Sequence, residues 1–506
     1  MFPLPAQSLE PNSLEFETTP LVKATGFREY DARWWFGIAG SDKPPELNLM
    51  GATAIGMGLG TLLGELGGDR ELVTGHDYRA YSAAIKTALT VGLTASGCRV
   101  HDVGLAVTPM AYFAQFALDV PAVAMVTASH NENGWTGVKM GARRPLTFGP
   151  DEIGRLQEIV LSAAFDLRPG GAYAYVEGMA ERYIADLTKR PKWKRPLKVV
   201  VACGNGTAGA FAPPVLAALG AHVVPLDTEL DYRFPRYNPN PEDLAMLDAI
   251  ADAVRDSGAD VGLAFDGDGD RCGVVDNAGE AIFADKVGVL IARDLSARHP
   301  NATFVVDVKS TGLFLTDPIL RSRGAATEYW KTGHSYIKRR VSELGALAGF
   351  EKSGHYFFGP PLGRGYDDAL VSAIAILDLL DRNPGRSMAD LKNDLPKTWG
   401  SPTMAAHCPD ETKYAVADRV RDRFERMRAA GEKVAGHPIA DLVTVNGVRV
   451  VADDGTWGLV RASSNKPEMV VVVESPVSEA RLREMFAAVD RVLRETAPVG
   501  PYNQTI

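Results

Sequence analysis

Short apolar runs alternate with helical stretches along most of the chain. Ala122–Val126, Val199–Ala202, Val261–Phe265, Thr303–Val306 and Leu347–Phe350 run without polar alternation, as strands buried on both faces of a sheet do. Between such runs, Pro213–Leu219 and Pro241–Ser257 carry helical periodicity. Repeated β-α-β units of this kind predict an α/β fold, a parallel or mixed sheet covered by helices. Trp193–Pro196 and Gly279-Glu280 read as linkers between units. Beyond about residue 400 the style changes. Val443–Val451, Gly458–Arg461 and Met469–Glu474 read as strands of a smaller α+β unit closed by a helix over Ser478–Arg494. The expectation is three α/β units and one terminal α+β unit, with boundaries at 1–172, 173–281, 282–400 and 401–506.

Two stretches stand apart from this pattern. The first twenty residues hold Pro3, Pro5, Pro11 and Pro20 and no basic residue, which reads as an extended, wandering arm and not as a signal peptide. Between Glu46 and Glu65 lie 18 uncharged residues with Gly56, Gly60 and Gly64 at small-xxx-small spacing, near the length of a membrane helix. Asn48, Thr53, Thr61 and five glycines lower its hydrophobicity, and Pro44-Pro45-Glu46 reads as a soluble helix start. A glycine stripe equally lets a soluble helix approach a neighbour closely.

Composition narrows the class. The chain has 506 residues, 46% hydrophobic and 23% charged, an ordinary globular balance that excludes collagen-like, disordered and disulfide-rich proteins. Lys and Arg total 54 against 63 Asp and Glu, a net charge of −9, which argues against nucleic acid or an anionic membrane as the main partner. Cys98, Cys203, Cys272 and Cys408 lie far apart with no CxxC, as reduced thiols of a cytoplasmic protein do.

Three apolar strands each run into a polar, glycine-containing loop, at Thr127–Gly137, Asp266–Arg271 and Glu351–Gly354. In open α/β sheets ligands gather at the carboxyl ends of strands. The loop Asp266-Gly-Asp268-Gly-Asp270-Arg271 is the sharpest feature. Carboxylates at i, i+2 and i+4, spaced by glycines, can converge on one hard cation, and their mutual repulsion makes a divalent ion the natural neutraliser. An EF-hand reading fails, since Arg271 stands where glycine is required and Asn277 where a bidentate Glu is expected. Magnesium, which keeps several waters and few protein ligands, suits the loop better. Arg271 behind the acids suggests that an anion such as phosphate also approaches.

Thr127-Ala-Ser129-His130-Asn131 sets a hydroxyl beside an imidazole, with Lys139 ten residues on as a cation or proton carrier. Taken alone, such a pair is as readily a turn or a cap. Arg461-Ala-Ser463-Ser464-Asn465-Lys466 offers hydroxyls, an amide and a guanidinium suited to a phosphate dianion, or a plain surface turn. Gly204-Asn-Gly206-Thr-Ala-Gly209 after a strand, with Asp227 further on, fits a dinucleotide fingerprint and a sugar dehydrogenase. That reading leaves the triple-Asp loop without a role.

Together these loops resemble the α-D-phosphohexomutase superfamily, most closely its phosphomannomutase/phosphoglucomutase branch. The likeness runs through Gly26-Phe-Arg-Glu-Tyr-Asp-Ala-Arg33, Thr127–Asn131 with Gly137-Val-Lys139, Asn238-Pro-Asn-Pro-Glu242, Phe265–Arg271, Asp307-Val-Lys309, Lys331-Thr-Gly-His-Ser335, Glu351-Lys-Ser-Gly-His355 and the Arg461 loop. It implies four domains around a central cleft, the first three of related α/β topology. It implies an enzyme that interconverts hexose 6-phosphate and hexose 1-phosphate, of mannose or glucose, with Mg²⁺ and a hexose 1,6-bisphosphate as intermediate and activator. By this resemblance Ser129 carries the phosphoryl group and, with Asp266, Asp268 and Asp270, completes the metal site. Glu351 and Ser353 read the sugar hydroxyls, and Arg461, Ser463, Ser464 and Asn465 hold the phosphate that is not reacting. Tyr30, Arg33, Lys309 and His334 line the substrate site, while His130, Lys139, Arg271 and His355 serve the chemistry, Lys139 or His355 moving the proton. The implied partner is a small phosphosugar, with no nucleic acid or membrane, acting on a monomer or homodimer. A phosphoglucosamine mutase is the alternative within the family. Ala32, the stretch Glu132–Thr136, Phe350 and Ser464-Asn465 depart from the family pattern, and the last leaves open which side chains beside Arg461 hold the distal phosphate.

Overall fold

The computed structural model describes residues 2–504 and 506, which form two compact units, the described residues up to 284 with 353–389 and residues 285–352 with those from 390 on. The first unit holds two sheets. One has six strands in the order Ala32–Trp35, Trp135–Gly141, Ala122–Val126, Glu71–His76, Arg99–Leu105, Ala172–Tyr175. Its last four strands are parallel; Trp135–Gly141 turns back antiparallel to them, and Ala32–Trp35, antiparallel to it, runs their way again. The other has five strands in the order Ala281–Ile282, Cys272–Asp276, Val261–Phe265, Lys198–Ala202, His222–Leu226. Here too a parallel set gains an antiparallel return after Val261–Phe265. In both sheets, therefore, a strand buried along its whole length leaves its carboxyl end through a polar loop and comes back as its own antiparallel neighbour.

In the second unit, Ala326–Trp330, Thr303–Asp307 and Ala348–Phe350 pair in parallel. Residues 399–475 build a purely antiparallel sheet. The helices Lys413–Ala429 and Glu479–Thr496 share its core, with Val420, Phe424, Met485 and Val489 buried among Val450, Val471 and Val473. The α/β class and the terminal α+β unit are both as expected.

Four local readings change. The predicted strand Val443–Val451 is a hairpin, His437–Val443 and Val448–Ala452, because Gly447 takes φ +72° and turns the chain. Gly279-Glu280 is no linker but the turn between Cys272–Asp276 and Ala281–Ile282, again with a left-handed glycine. Trp193 is buried, its indole donating to Asp378 at 2.8 Å on the helix Ala369–Asp381, so that stretch is packed and is no free linker. The N-terminal arm is tied down: Asn48 accepts from Leu21 N at 2.9 Å and donates to Thr19 O, and Leu14–Thr18 is a short helix.

The uncharged stretch becomes the helix Leu49–Glu65, capped by Asn48 and buried on most sides. Its glycines serve close packing. A Cβ at Gly56 would strike the carbonyl of Leu89, and one at Gly92 the carbonyl of Thr53, so this helix and Ser82–Ala95 cross nearly backbone to backbone. Among the described residues no helix is long and apolar enough to cross a membrane.

Gly92→Ala is expected to destabilise the protein by about 1–3 kcal/mol through overpacking, read from urea unfolding. A second expectation concerns Asp368, which caps the helix Ala369–Asp381 through Leu370 N at 2.8 Å and Val371 N at 3.1 Å and accepts from Tyr183 Oη at 2.8 Å. Burial pushes its carboxyl up to about 6 against those hydrogen bonds. The native state therefore keeps a proton that the unfolded chain gives up near pH 4, and this group withdraws of order 3 kcal/mol of stability as pH rises to about 6. Asp368→Asn lacks that term, so its stability relative to wild type should rise between pH 4 and 6 and then level off.

Candidate active site

The loop after Ala122–Val126 carries Ser129 in the left-handed region, at φ +51°. Its Oγ donates to Asp266 Oδ2 at 2.8 Å and lies 3.2 Å from His130 Nδ1. The sequence set these residues 137 positions apart; the fold brings the ends of two different sheets together. Gly267 permits the approach, since a Cβ there would run into the Ser129 carbonyl. The glycine turn that resembled a dinucleotide fingerprint packs on the same loop, Thr207 N donating to Gly267 O at 2.9 Å. A Cβ at Gly206 would strike Gly267, one at Gly209 the Thr228 carbonyl, and one at Gly204 Pro239, so close packing explains its glycines.

Asp266, Asp268 and Asp270 are fully buried, and each offers an oxygen within 4.8 Å of the others'. The loop spends its own backbone on Asp266, whose Oδ1 accepts from Asp270 N at 3.0 Å and Arg271 N at 3.1 Å. Thr108 Oγ1 donates to Asp268 Oδ2 at 2.6 Å, and Lys139 Nζ reaches Asp268 at 2.7 Å and also binds Asp270. Arg271 Nε lies 3.1 Å from Asp266 Oδ2, and its Nη1 donates to Asn240. Burial, then Asp270 and Asp268, pushes the Asp266 carboxyl up to about 7. Burial and Asp268 push Asp270 up to about 6. Burial acts the same way on Asp268, but Lys139 and Thr108 outweigh it and hold that carboxyl below its usual range. Burial works against the Lys139 charge, but Asp268 and Asp270 prevail and hold its ammonium well above its ordinary value. With those neighbours Lys139 is a fixed cation.

This donor set fits a small divalent cation. Oxygens at this spacing suit magnesium, and the buried Oδ1 atoms of Asp268 and Asp270 have no hydrogen-bond donor among the described residues. His355 stands beside the trio, Nδ1 3.7 Å from Asp270 Oδ1 and 3.0 Å from Asp367 Oδ2. Arg33 joins from the strand Ala32–Trp35, donating to Ala128 O at 2.6 Å and Asn131 Oδ1 at 2.9 Å. Tyr30 is buried just before that strand, and Ser353 is half-buried in the first unit.

The second unit gathers the remaining candidates. Glu351 Oε1 accepts from Gly333 N at 2.5 Å, next to His334, which opens the helix His334–Leu344. Lys309 Nζ lies 3.8 Å from Asp307 Oδ2, a carboxylate that also accepts from Thr332 Oγ1 at 3.2 Å and Lys352 N at 3.3 Å. Thr332 N donates to Asn446 Oδ1 at 3.3 Å, in the hairpin turn that packs against Arg461. Arg461 and Ser464 are buried, while Ser463 and Asn465 are half-buried. Asp77, Arg79, Thr108 and Asp367 escaped the sequence reading; the strand Glu71–His76 running into Asp77-Tyr-Arg79 was the available signal.

Comparisons with known proteins bear on the family of the chain. Four family models match in order: phosphoglucomutase/phosphomannomutase alpha/beta/alpha domain I over residues 25–166, domain II over 174–279, domain III over 283–399 and the C-terminal domain over 408–492. A phosphomannomutase/phosphoglucomutase of Pseudomonas syringae pv. tomato is 35% identical over 95% of this chain and 97% of its own length. A phosphoglucomutase of Neisseria meningitidis serogroup A is 32% identical over 92% and 96%. The crystal structure of a phosphoglucomutase/phosphomannomutase family protein from Burkholderia thailandensis superposes with TM-score 0.82 at 32% identity, covering 96% of this chain and all of that one.

Binding of Mn²⁺ or Mg²⁺, followed by calorimetry or thermal shift, is expected to weaken at least roughly 10-fold in Asp268→Asn and in Asp270→Asn, and little in Glu351→Gln. With four domain models matched in order and a relative sharing a third of its residues over nearly the whole length, the chain belongs to the phosphoglucomutase/phosphomannomutase family and is a phosphohexomutase enzyme.

Proposed function

We propose that the protein interconverts the 6-phosphate and 1-phosphate of mannose and/or glucose through a phosphoserine at Ser129. One observation carries this reading: the Ser129 hydroxyl lies 2.8 Å from a buried carboxylate of the Asp trio, with Arg271 against that carboxylate and Lys139 against the other two. A phosphoryl group on that oxygen would sit where fixed positive charge is concentrated, which is what a loose phosphoryl-transfer transition state needs.

In the forward step a free sugar hydroxyl attacks the phosphorus. The new sugar O–P bond forms, the Ser129 Oγ–P bond breaks, and the hydroxyl proton passes to a nearby base. The product is a hexose 1,6-bisphosphate, which turns end for end and returns its other phosphate to Ser129. His355 is the better proton carrier of the two candidates, because Lys139 is held charged by two carboxylates. Asp266, Asp268, Asp270 and Ser129 would hold the magnesium ion. When bound, the ion supplies charge neutralisation for the transferring phosphoryl oxygens.

Glu351 and Ser353 grip the sugar hydroxyls, and a carboxylate facing the 3- and 4-hydroxyls accepts both orientations of the ring. A site that ignores the 2-hydroxyl accepts mannose and glucose alike. Tyr30, Arg33, Lys309 and His334 bind the substrate, and Arg461, Ser463, Ser464 and Asn465 hold the phosphate at rest. The four domains divide at about residues 172, 281 and 400. The enzyme works as a monomer or homodimer in the cytoplasm, on a small phosphosugar and not on nucleic acid.

A coupled assay on mannose, glucose and glucosamine phosphates, with Mg²⁺ and catalytic bisphosphate, tests the reading. Turnover of mannose or glucose phosphate is expected, and preference for glucosamine phosphate would move the enzyme to the other branch. Ser129→Ala should lose the mass of one phosphate and about three orders of magnitude or more in kcat. Full turnover in that variant would overturn the assignment.

A further inference from the structure

Ser129 holds a backbone conformation that a side chain other than glycine's rarely takes, at φ +51°. Such a conformation persists only where the surroundings over-determine it. Foremost among the surroundings that hold its backbone is one buried ion pair. Asp77 and Arg79 bond to each other, and their exposures are 1% and 5%. From this pair the bonds run to both sides of the serine. Arg79 Nη2 donates to the Ser129 carbonyl at 2.9 Å and to the Asn131 carbonyl at 2.7 Å. Asp77 Oδ2 accepts from Thr127 Oγ1 at 2.8 Å and from Ala128 N at 3.3 Å, and Thr127 Oγ1 in turn accepts from Ser129 N at 2.9 Å. The serine's amide and carbonyl are thus both referred to the same two charges.

The pair itself stands on rigid ground. It follows the strand Glu71–His76, which has a parallel neighbour on each side. Asp77 Oδ1 accepts from Ser82 Oγ at 2.6 Å in the first turn of the next helix, and the Arg79 guanidinium lies over the Phe234 ring at 5.4 Å.

We infer that Asp77 and Arg79 are positioning residues for phosphoryl transfer, a buried clamp that holds Ser129 in its left-handed conformation and so aims its Oγ at the Asp trio. The inference rests on the mutase reading above and deepens it. Removing the clamp lets the serine relax to negative φ, which swings Oγ away from Asp266 while leaving the trio, Glu351 and Arg461 in place. The loss therefore falls on the chemical step.

The test uses the full chain, with Arg79→Met, Arg79→Lys, Asp77→Asn and Thr127→Val. In Arg79→Met and Asp77→Asn, kcat is expected to fall about 100-fold while KM for glucose 1-phosphate changes by less than about 3-fold. Mn²⁺ affinity should fall far less than in Asp268→Asn, since the three carboxylates stay in place, and single-turnover phosphorylation of Ser129 by glucose 1,6-bisphosphate should slow in step with kcat. Arg79→Lys keeps the charge opposite Asp77 but not the fork that joins that carboxylate to the two carbonyls, so it restores melting temperature without restoring kcat. A merely structural role would restore both. A crystal structure of Arg79→Met should show Ser129 at negative φ with its bond to Asp266 broken. The inference is overturned if a folded Arg79→Met or Asp77→Asn keeps Ser129 left-handed, or keeps kcat within about 3-fold of wild type. Should both fail to fold, Thr127→Val decides, and an unchanged kcat there overturns the inference too. If the wild-type protein turns over no hexose phosphate, the mutase reading fails, and the Ser129 conformation in Arg79→Met still judges the clamp.

Discussion

Three carboxylates of one short loop are taken fully out of water in this protein, and much of the first unit is arranged to make that tolerable. Unit charges about 4 Å apart repel by roughly 4 kcal/mol at an effective dielectric of 20, so the trio cannot stand ionised without compensation. Lys139 and Arg271 bring two positive charges against three negative ones, and Thr108 and the loop's own amides add dipoles. One negative charge is left over. It appears as the raised carboxyls of Asp266 and Asp270, and a divalent ion removes that excess. The groups that make the loop tolerable are the groups a phosphoryl transfer would use. Stability and chemistry draw on the same charges.

The fold delivers these groups by one device used twice. In each sheet of the first unit a parallel strand buried throughout ends in a polar loop and returns antiparallel. The return strand Trp135–Gly141 presents Lys139 to the trio, and the return strand Cys272–Asp276 starts directly behind Arg271. Each loop is thus held at both ends by adjacent strands. That rigidity lets Gly267 and Ser129 touch without collapsing the gap between them.

Much of this was legible in the residues. Ala122–Val126 and Val261–Phe265 stand in the fold with the bounds their apolar runs suggested, because burial on both faces removes any polar interruption. The Asp trio was legible because glycine-spaced acids have few uses other than a cation. Arg79, Thr108 and Asp367 were not. Each is a single ordinary polar residue whose partner lies far along the chain: Ser129 for Arg79, Asp268 for Thr108 and, less distantly, His355 for Asp367. The hairpin Val443–Val448 was misread for a related reason. Its flanking strands are apolar enough to run together, and one left-handed glycine decides the turn. Local pattern reports burial well and long-range polar pairing poorly.

The second unit applies the same principle to a different end. Arg449 is buried with its guanidinium 3.6 Å from the Trp457 ring centroid and 4.3 Å from that of Tyr329, donating to Val308 O at 3.0 Å and Ser310 O at 2.7 Å. Glu474 accepts from Trp457 Nε1 at 3.1 Å and from Gly312 N at 2.8 Å. Both charges therefore bind the segment Val308–Gly312 to Trp457, which opens the strand Trp457–Ala462 that carries Arg461. A buried charge is far costlier to strand than to keep paired, so these contacts resist sliding in a way apolar packing alone would not. The candidate phosphate-holding arginine is thereby kept in register with Lys309 by groups that touch no substrate.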